Sequence, residues 1–233
     1  AQQAGMPPVT IGRTLDEDGT PVPGTGFDVE PGSWLAKRVT ERSGPISSHP
    51  TRPVWAVPQP APDGDGEVNR SVSVVGAGYG GPAEHYHDKS PEVFAVESGE
   101  ITVTCDGTDH VVTAGESITV ETGVRHTFRN DTDERALVTT EIHSPGRLSQ
   151  VLPTLGGLAH DDDRSTEDPL QQVAIAQRLD GNTTFTRQER PGVGLAVDAL
   201  GPLARAAGYR GAYGKYLQPA FWHEHVEQPP EEF

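Results

Sequence analysis

EHYHDKSPEVFAVESGE, residues 84–100, combines strand-forming residues with three potential metal ligands. His85 and His87 lie on either side of Tyr86, and Glu92 follows the second histidine by five positions. Alternate residues of a strand face the same side, so the two imidazoles are expected to point together, with Cα atoms about 7 Å apart. Glu92 begins the next strand after the short turn DKSP, from which its carboxylate can return to the same point.

A fourth ligand is expected from a strand distant in sequence, because a β-barrel interior brings such strands together. His126 is the candidate, since it follows the turn ETGVR and begins the predicted strand HTFRN. Three imidazoles and one carboxylate suit one divalent transition metal ion: iron, manganese, nickel, copper or zinc. The absence of a thiolate argues against a structural zinc site. The alternative is that these are unrelated polar residues of a strand-rich segment.

The spacing resembles the first motif of the cupin superfamily, G…HxHx(3–4)Ex(6)G. His85, His87, Glu92 and Gly99 match this motif, with four residues before the glutamate and six after it. The leading glycine is displaced by one position, because four residues separate Gly80 from His85 where the family usually has five.

A second stretch resembles the other cupin motif, Gx(5)PxGx(2)Hx(3)N. Gly115, Gly123, His126 and Asn130 match it at the expected spacing. Glu121 stands where the family usually has proline, which affects the rigidity of the turn rather than metal ligation. The resemblance implies that His126 joins the ligands of the first motif at one metal centre.

The cupin resemblance covers roughly residues 70–143 and implies an all-β fold, the double-stranded β-helix or jelly-roll barrel. The residues themselves agree, because short runs rich in β-branched and aromatic residues follow one another there, bounded by Gly, Asp or Asn. Strands at this density without intervening helices indicate an antiparallel sandwich or barrel. Three regions are predicted: an irregular N-terminal arm packed on the barrel (1–70), the cupin β-barrel (71–146) and a helical C-terminal extension (147–233).

The arm is rich in proline and glycine, which disfavours helices and interrupts strands. Trp34 and Trp55 are the expected anchors that hold it against the barrel. Short edge strands are expected around WLAKRVT and PVWAV.

Helical signals define the extension. In DPLQQVAIAQRLDG, Asp168 can cap a helix, Pro169 suits its first turn and Gly181 can end it. The segment VGLAVDALGPLARAAG predicts a second helix with a kink at Pro202. Its apolar face is expected to pack on the barrel or on another subunit, and it comprises Leu195, Ala199, Leu203 and Ala206. The tail FWHEHVEQPPEEF is expected to be irregular.

The net charge of −16 arises from 34 acidic and 18 basic residues. Such a field repels a phosphate backbone and an anionic membrane surface, so neither nucleic acid nor a membrane is an expected partner. Solubility explains the acidity, and a second interpretation is a halophilic protein from a high-salt cytoplasm. Cys105 is the only cysteine, which excludes an intrachain disulfide and favours a cytoplasmic location. The chain opens with Ala1, which leaves a removed signal peptide possible.

Strand parity predicts other side chains around the metal: Phe94, Val96 and Phe128 should face inward with the ligands, and Tyr79 and Tyr86 are candidates for the rim. His143 ends a strand and could face the barrel interior. The remaining histidines lie in turn-rich, polar or charged contexts and are expected to play no part in the site: His49, His110, His160, His223 and His225.

By resemblance to quercetinase-type cupins, the chain is expected to be a metal-dependent dioxygenase acting on a small organic substrate, with Glu92 as the catalytic base. Two alternatives stay open, because the cupin fold does not select a reaction. One is a non-enzymatic, metal-containing protein that binds a small molecule. The other is a cupin lyase or isomerase, although Phe94 occupies a position where a tyrosine would have favoured that activity. A homodimer is expected from the edge-rich barrel and the apolar helical face.

Overall fold

The computed structural model describes residues 5–64, 67–161 and 163–231. Residues 1–4 and 65–66 of the predicted arm, and residues 162 and 232–233 of the predicted extension, lie outside the described residues. Within the described residues, no helix combines the length and the apolar character needed to cross a membrane.

The described residues form thirteen strands and five α-helices. The strands are β1 (Val9–Ile11), β2 (Phe27–Val29), β3 (Ser47–His49), β4 (Arg52–Gln59), β5 (Val68–Val75), β6 (His85–His87), β7 (Glu92–Ser98), β8 (Glu100–Cys105), β9 (Thr108–Thr113), β10 (Ser117–Val120), β11 (His126–Arg129), β12 (Ala136–His143) and β13 (Thr183–Phe185). The helices are α1 (Trp34–Thr40), α2 (Leu148–His160), α3 (Pro169–Arg178), α4 (Val193–Ala206) and α5 (Pro219–His225). Two short 3₁₀ helices cover Thr186–Glu189 and Gly214–Leu217.

Two antiparallel sheets carry most of these strands. One sheet has six strands in the order β10-β7-β12-β5-β4-β3, and the other has five in the order β13-β6-β11-β8-β9. The predicted antiparallel all-β architecture is confirmed. Strands distant in sequence are neighbours in both sheets, which places residues from separate motifs side by side. Strands β3 and β4 of the arm lengthen the first sheet, and β13 of the extension forms an edge of the second.

Apolar side chains from both sheets fill the space between them. Phe94 and Val96 of β7 are buried there, as strand parity predicts, and partly buried Phe128 packs on this core with its ring 5.2 Å from that of Phe94. The other buried members of this cluster include Val75, Ile101, Val103, Val112, Val120 and Val138. Burying one such side chain fully contributes about 1.5–3 kcal/mol, so this core fixes the two sheets face to face.

A second core lies where the arm and the extension pack on the six-stranded sheet. It joins Val57 and Val72 of the sheet to side chains from the arm and from the extension. Trp55 anchors the arm as predicted: it is buried, its Nε1 donates to Gly12 O at 2.9 Å, and its ring lies 5.3 Å from that of Phe27. Trp34 is only partly buried.

The expected edge strand at WLAKRVT is wrong, because these residues form helix α1. Ser33 caps the helix by accepting a hydrogen bond from Ala36 N at 3.1 Å, which satisfies one of the free N–H groups of the first turn. Leu35 and Val39, four residues apart, are buried on one face of the helix. The strand expected at PVWAV is confirmed as part of β4.

In the extension, α3 follows the prediction, with Asp168 as its cap and Pro169 in its first turn. It ends at Arg178, three residues before Gly181, whose φ of 68° places it in the turn that follows. The expected irregular tail is wrong in part, because α5 forms there around a buried Trp222.

Helix α4 runs through Pro202, but its predicted apolar face does not pack on the barrel. Leu195 is 77% exposed and Leu203 is 56% exposed. The face that packs on α3 consists of smaller residues, Gly201 and Ala204. A Cβ at Gly201 would meet the amide of Gln177 in α3, so glycine permits this close approach. The expected packing of this face on the barrel is therefore wrong, and its packing on another subunit stays a prediction.

Candidate metal centre

The four predicted ligands come from three strands in two sheets. His85 and His87 occupy the ends of β6, and His126 begins β11, where it is the cross-strand partner of His85. Glu92 begins β7 in the opposite sheet. Cross-strand partners share a face, and the sandwich core places the two sheets against each other, so the carboxylate meets the three imidazoles between them.

The ligand atoms lie close enough to share one ion. Glu92 Oε2 is 3.2 Å from His87 Nε2 and 2.9 Å from His126 Nε2, and one ligand atom from each of the four residues lies within 4.8 Å of the others. With metal–nitrogen bonds of about 2.1 Å, two ligands of one ion are at most about 4.2 Å apart. Binding an ion therefore requires only small movements. His87, Glu92 and His126 are buried, and His85 is partly exposed.

Hydrogen bonds to the Nδ1 atoms orient all three imidazoles. Nδ1 of His85 lies 2.8 Å from Ala83 O, and Nδ1 of His126 lies 2.9 Å from Val124 O. A carbonyl only accepts, so in both rings Nδ1 carries a proton, and Nε2 is the nitrogen left to bind an ion. The third ring, His87, has its Nδ1 atom 2.7 Å from the hydroxyl of a threonine in β13. This arrangement of outer partners is characteristic of metal-binding histidines.

The charge states of the group also suit a metal. Burial, together with the nearby His126 and His87, lowers the pKa of His85 to about 4 and keeps that ring neutral. Burial opposes ionisation of Glu92, but hydrogen bonds and charges from His126 and His87 outweigh it and lower its pKa to about 2. Burial lowers the pKa of His126, and the contact with Glu92 more than compensates, so the net direction is upward. The ionised carboxylate and the neutral His85 ring are ready to bind a metal ion, whereas a proton held between His126 and Glu92 would be released on binding.

The donor set therefore fits a transition metal. Three nitrogen atoms and one carboxylate, without sulfur, match iron, manganese, nickel, copper or zinc. The two motifs predicted this set of four residues, and the structure brings all four together.

Two other motif residues, Asn130 and Gly99, stabilise turns and strand ends. Asn130, which follows β11, is fully buried and its side chain donates to Val75 O at 3.0 Å and Glu134 O at 2.8 Å. Gly99 has a φ of 76°, and a Cβ there would lie 2.6 Å from Arg135 O. These residues hold turns and strand ends rather than an ion.

The leading glycine of the first motif has no steric role at the predicted position. A Cβ at Gly80 would meet nothing within 4 Å, whereas one at Gly81 would lie 2.0 Å from Phe128 O. Gly81, with a φ of 87°, is thus the glycine that the fold requires.

The remaining candidates lie apart from the group. His143 pairs with Glu141 at 3.2 Å and does not join the ligands. His223 is exposed, as expected. His160, expected to have no site role, has a structural one, because its Nε2 lies 2.9 Å from Ser48 O beneath α5. Tyr86 points away from the ligands, with its hydroxyl donating to Glu189 at 3.3 Å.

Sequence reasoning missed two residues of β13 that contact the ligands. Thr183 is the hydroxyl partner of His87, and the ring of Phe185 lies 6.0 Å from that of His85. Phe185 is thus an apolar side chain beside the ligands, and the inward Phe94 belongs to the core between the sheets. A three-residue strand far from both motifs has no periodicity that a sequence pattern could detect.

A cavity of about 760 Å³ lies elsewhere, and its lining includes Arg38, Arg70 and Glu141 but none of the four ligands. Charged residues are prominent in the lining of this cavity, whereas apolar surroundings are predicted for the metal. The candidate metal site is therefore the His and Glu group rather than this cavity.

Comparison with known families agrees with the motifs. Residues 71–143 match the family model described as a cupin domain. Residues 71–143 of this chain form a cupin domain. The matched segment runs from β5 to β12 and contains all four candidate ligands.

Similar proteins align with only part of this chain. It is 31% identical over 113 residues to a protein named polyketide synthase CurC from Streptomyces cyaneus, and the match covers 48% of this chain and 66% of that protein. A structure described as a sugar phosphate isomerase from a cupin superfamily, from Silicibacter pomeroyi, is 20% identical with a TM-score of 0.35, over 39% of this chain and 59% of that one. KdgF from Halomonas sp. is 12% identical with a TM-score of 0.35, over 39% of this chain and 78% of that one.

Proposed function

We propose that this cupin is a metal-dependent oxygenase, of the dioxygenase type, that acts on a small organic substrate. The observation that carries the proposal is the convergence of three imidazoles and one carboxylate, with the Nδ1 atoms held by outer partners and the Nε2 atoms of His87 and His126 directed at Glu92. A structural zinc site is usually closed by four ligands that include thiolates, and this set has none. In a five- or six-coordinate metal, these four nitrogen and oxygen ligands would leave one or two positions open for substrate or dioxygen.

His85, His87 and His126 would hold the ion through Nε2, and Glu92 through a carboxylate oxygen. The ion would supply a Lewis acid, with open positions and, for the redox-active metals, the ability to activate dioxygen. The protein itself excludes water from three of the four ligands by burying them. Phe185 adds an apolar surface beside His85, the most exposed ligand, where an organic substrate would approach.

Glu92 has two proposed roles, metal ligand and general base, and its hydrogen bonds favour the first. Its pKa of about 2 makes it a permanent carboxylate and a good ligand, but a weak base while His87 and His126 hydrogen-bond to it. It can accept a substrate proton at Oε2 only after these two hydrogen bonds are released. We propose that it serves as a ligand first and as a base in the substrate complex.

The name of one relative supports a substrate class. The protein from Streptomyces cyaneus is named a polyketide synthase. Polyketides carry enol and phenol groups, whose oxygen can lose its proton and bind a Lewis-acidic metal. We therefore propose a phenolic or enolic polyketide as the substrate of this cupin.

Metal analysis tests the centre directly. Protein purified without added metal should carry near-stoichiometric iron, manganese, nickel, copper or zinc. His126→Ala should lose it, because the variant removes a buried ligand, while His223→Ala, which changes an exposed histidine, should keep it. Wild-type protein that stays free of metal after reloading with each of these ions would contradict the proposal.

Oxygen uptake then tests the reaction. Metal-loaded protein should consume dioxygen with phenolic or enolic polyketides, and His126→Ala should not. Metal-loaded protein that binds such compounds without consuming dioxygen or changing them would instead support a non-enzymatic binding protein. Conversion without dioxygen uptake would support a lyase or isomerase.

A further inference from the structure

Strand β13 belongs to the extension, beyond the matched cupin segment, yet it forms the edge of the sheet that carries the histidines. Its register pairs each of its residues with one of β6: Thr183 with His87, Thr184 with Tyr86, and Phe185 with His85. Cross-strand partners share a face of the sheet. The first and last side chains of β13 therefore lie on the face of the ligands, and the middle one lies on the opposite face.

Thr183 makes the hydrogen bond to the proposed metal ligand His87. It is 3% exposed, and its Oγ1 lies 2.7 Å from Nδ1 of His87. The same hydroxyl donates to Oδ1 of Asn182 at 2.9 Å, and Nδ2 of Asn182 donates to Pro145 O at 2.9 Å. A hydroxyl has one proton, so Thr183 must accept from His87. A proton of His87 is thereby held on Nδ1, so Nε2, which lies 3.2 Å from Oε2 of Glu92, is the nitrogen left to bind an ion.

The Nδ1 hydrogen bonds of the other two histidines do not involve the extension. His85 and His126 are oriented by the carbonyls of Ala83 and Val124, each two residues earlier in the same chain segment. Among the three rings, only His87 has an Nδ1 hydrogen-bond partner that lies outside the cupin segment. The extension therefore supplies the one orienting contact that the cupin segment does not make for itself.

We propose that Thr183 is a positioning residue of the metal centre, which selects the metal-binding tautomer of His87, so that the C-terminal extension completes the site. This inference rests on the proposed metal function. The chain of hydrogen bonds through Asn182 fixes the direction of every proton in the contact.

Three full-length variants test the inference with Co²⁺ as the probe. Thr183→Val removes the hydroxyl at nearly constant shape and leaves Nδ1–H of His87 without an acceptor. Thr183→Ser keeps the hydroxyl, and Thr184→Val makes the same chemical change one residue away on the opposite face. After removal of resident metal, the dissociation constant for Co²⁺ is measured from its visible absorption in competition with a chelator.

Thr183→Val should bind Co²⁺ about 10- to 100-fold more weakly than wild type, as expected for loss of an outer partner of a metal-bound histidine. Thr183→Ser and Thr184→Val should bind nearly as tightly as wild type. Equal affinity of Thr183→Val and wild type would overturn this inference while leaving the metal proposal intact. Failure of wild type itself to bind Co²⁺ would overturn both.

A spectroscopic measurement separates positioning from a general loss of structure. In the Zn²⁺-loaded protein, Nδ1–H of His87 should give a slowly exchanging imidazole proton signal in wild type and in Thr183→Ser. Thr183→Val should lose protection of that proton while the Nδ1–H signals of His85 and His126 persist. Unchanged protection in Thr183→Val, or equal loss at all three rings, would contradict the specific role of Thr183.

Discussion

Replacing Asn130 by aspartate should strongly destabilise this cupin, although the two side chains have almost the same shape. Asn130 is fully buried and donates to Val75 O at 3.0 Å and to Glu134 O at 2.8 Å. Its Oδ1 accepts from the backbone N of Thr132 at 3.0 Å and from the hydroxyl of Thr132 at 2.8 Å. Aspartate preserves the accepted pair and turns the donated pair into contacts between oxygen atoms.

The expected magnitude follows from those two contacts. Each lost hydrogen bond contributes about 1 kcal/mol, and each buried acceptor left without a donor adds about 1 kcal/mol or more, so Asn130→Asp should lose about 3–5 kcal/mol. Total stabilities of domains are about 5–15 kcal/mol, so this is a large fraction. Urea unfolding followed by tryptophan fluorescence, at pH 8 with a chelator present, measures the loss without a contribution from metal.

Thr132→Ala provides the control, because it removes a hydroxyl that contacts Asn130 Oδ1 and the backbone of Glu134 but leaves both bonds donated by Asn130 in place. Its expected loss is about 1 kcal/mol. A loss below about 1 kcal/mol for Asn130→Asp, or equal losses for the two variants, would refute the assignment of the donated bonds as the main contribution of Asn130.

Two further predictions concern the extension. Burial lowers the pKa of His160 to about 4, so the unfolded chain takes up a proton between about pH 6.5 and pH 4 that the folded chain does not, and stability should fall by about 2–3 kcal/mol as pH falls through that window. His160→Gln should reduce this fall in urea titrations. We also propose a homodimer in which the uncharged outward face of α4, with Leu195 77% and Leu203 56% exposed, packs on a second copy. Replacing both leucines by glutamate should convert a dimer into a monomer in sedimentation experiments.

A control variant accompanies each of these two predictions, the pH dependence of stability and the homodimer. His223→Gln changes an exposed histidine and should leave the pH profile of stability unaltered, and an unchanged profile in His160→Gln would refute the role of burial there. Leu217→Glu changes a leucine that is 46% exposed outside α4 and should leave the dimer intact. A wild-type monomer at all salt concentrations would refute the dimer.

Errors of the sequence interpretation have identifiable physical causes. WLAKRVT contains no residue that excludes a strand, and it forms α1 because Ser33 caps the helix and one helical face meets the core. The apolar face of α4 was recognised, but the small residues Gly201 and Ala204 pack on α3 instead, since they allow the two helices to approach closely. Local patterns identify such faces without identifying what covers them.

The sequence by itself determined the four candidate ligands and the alternation of residue types along the strands that carry them. His85, His87 and Glu92 are close in the chain, and strand alternation and a short turn suffice to direct them together. Only the tertiary structure decided which outer groups orient them. Thr183 reaches His87 through the pairing of β13 with β6, a long-range contact whose register depends on the packing of the whole extension.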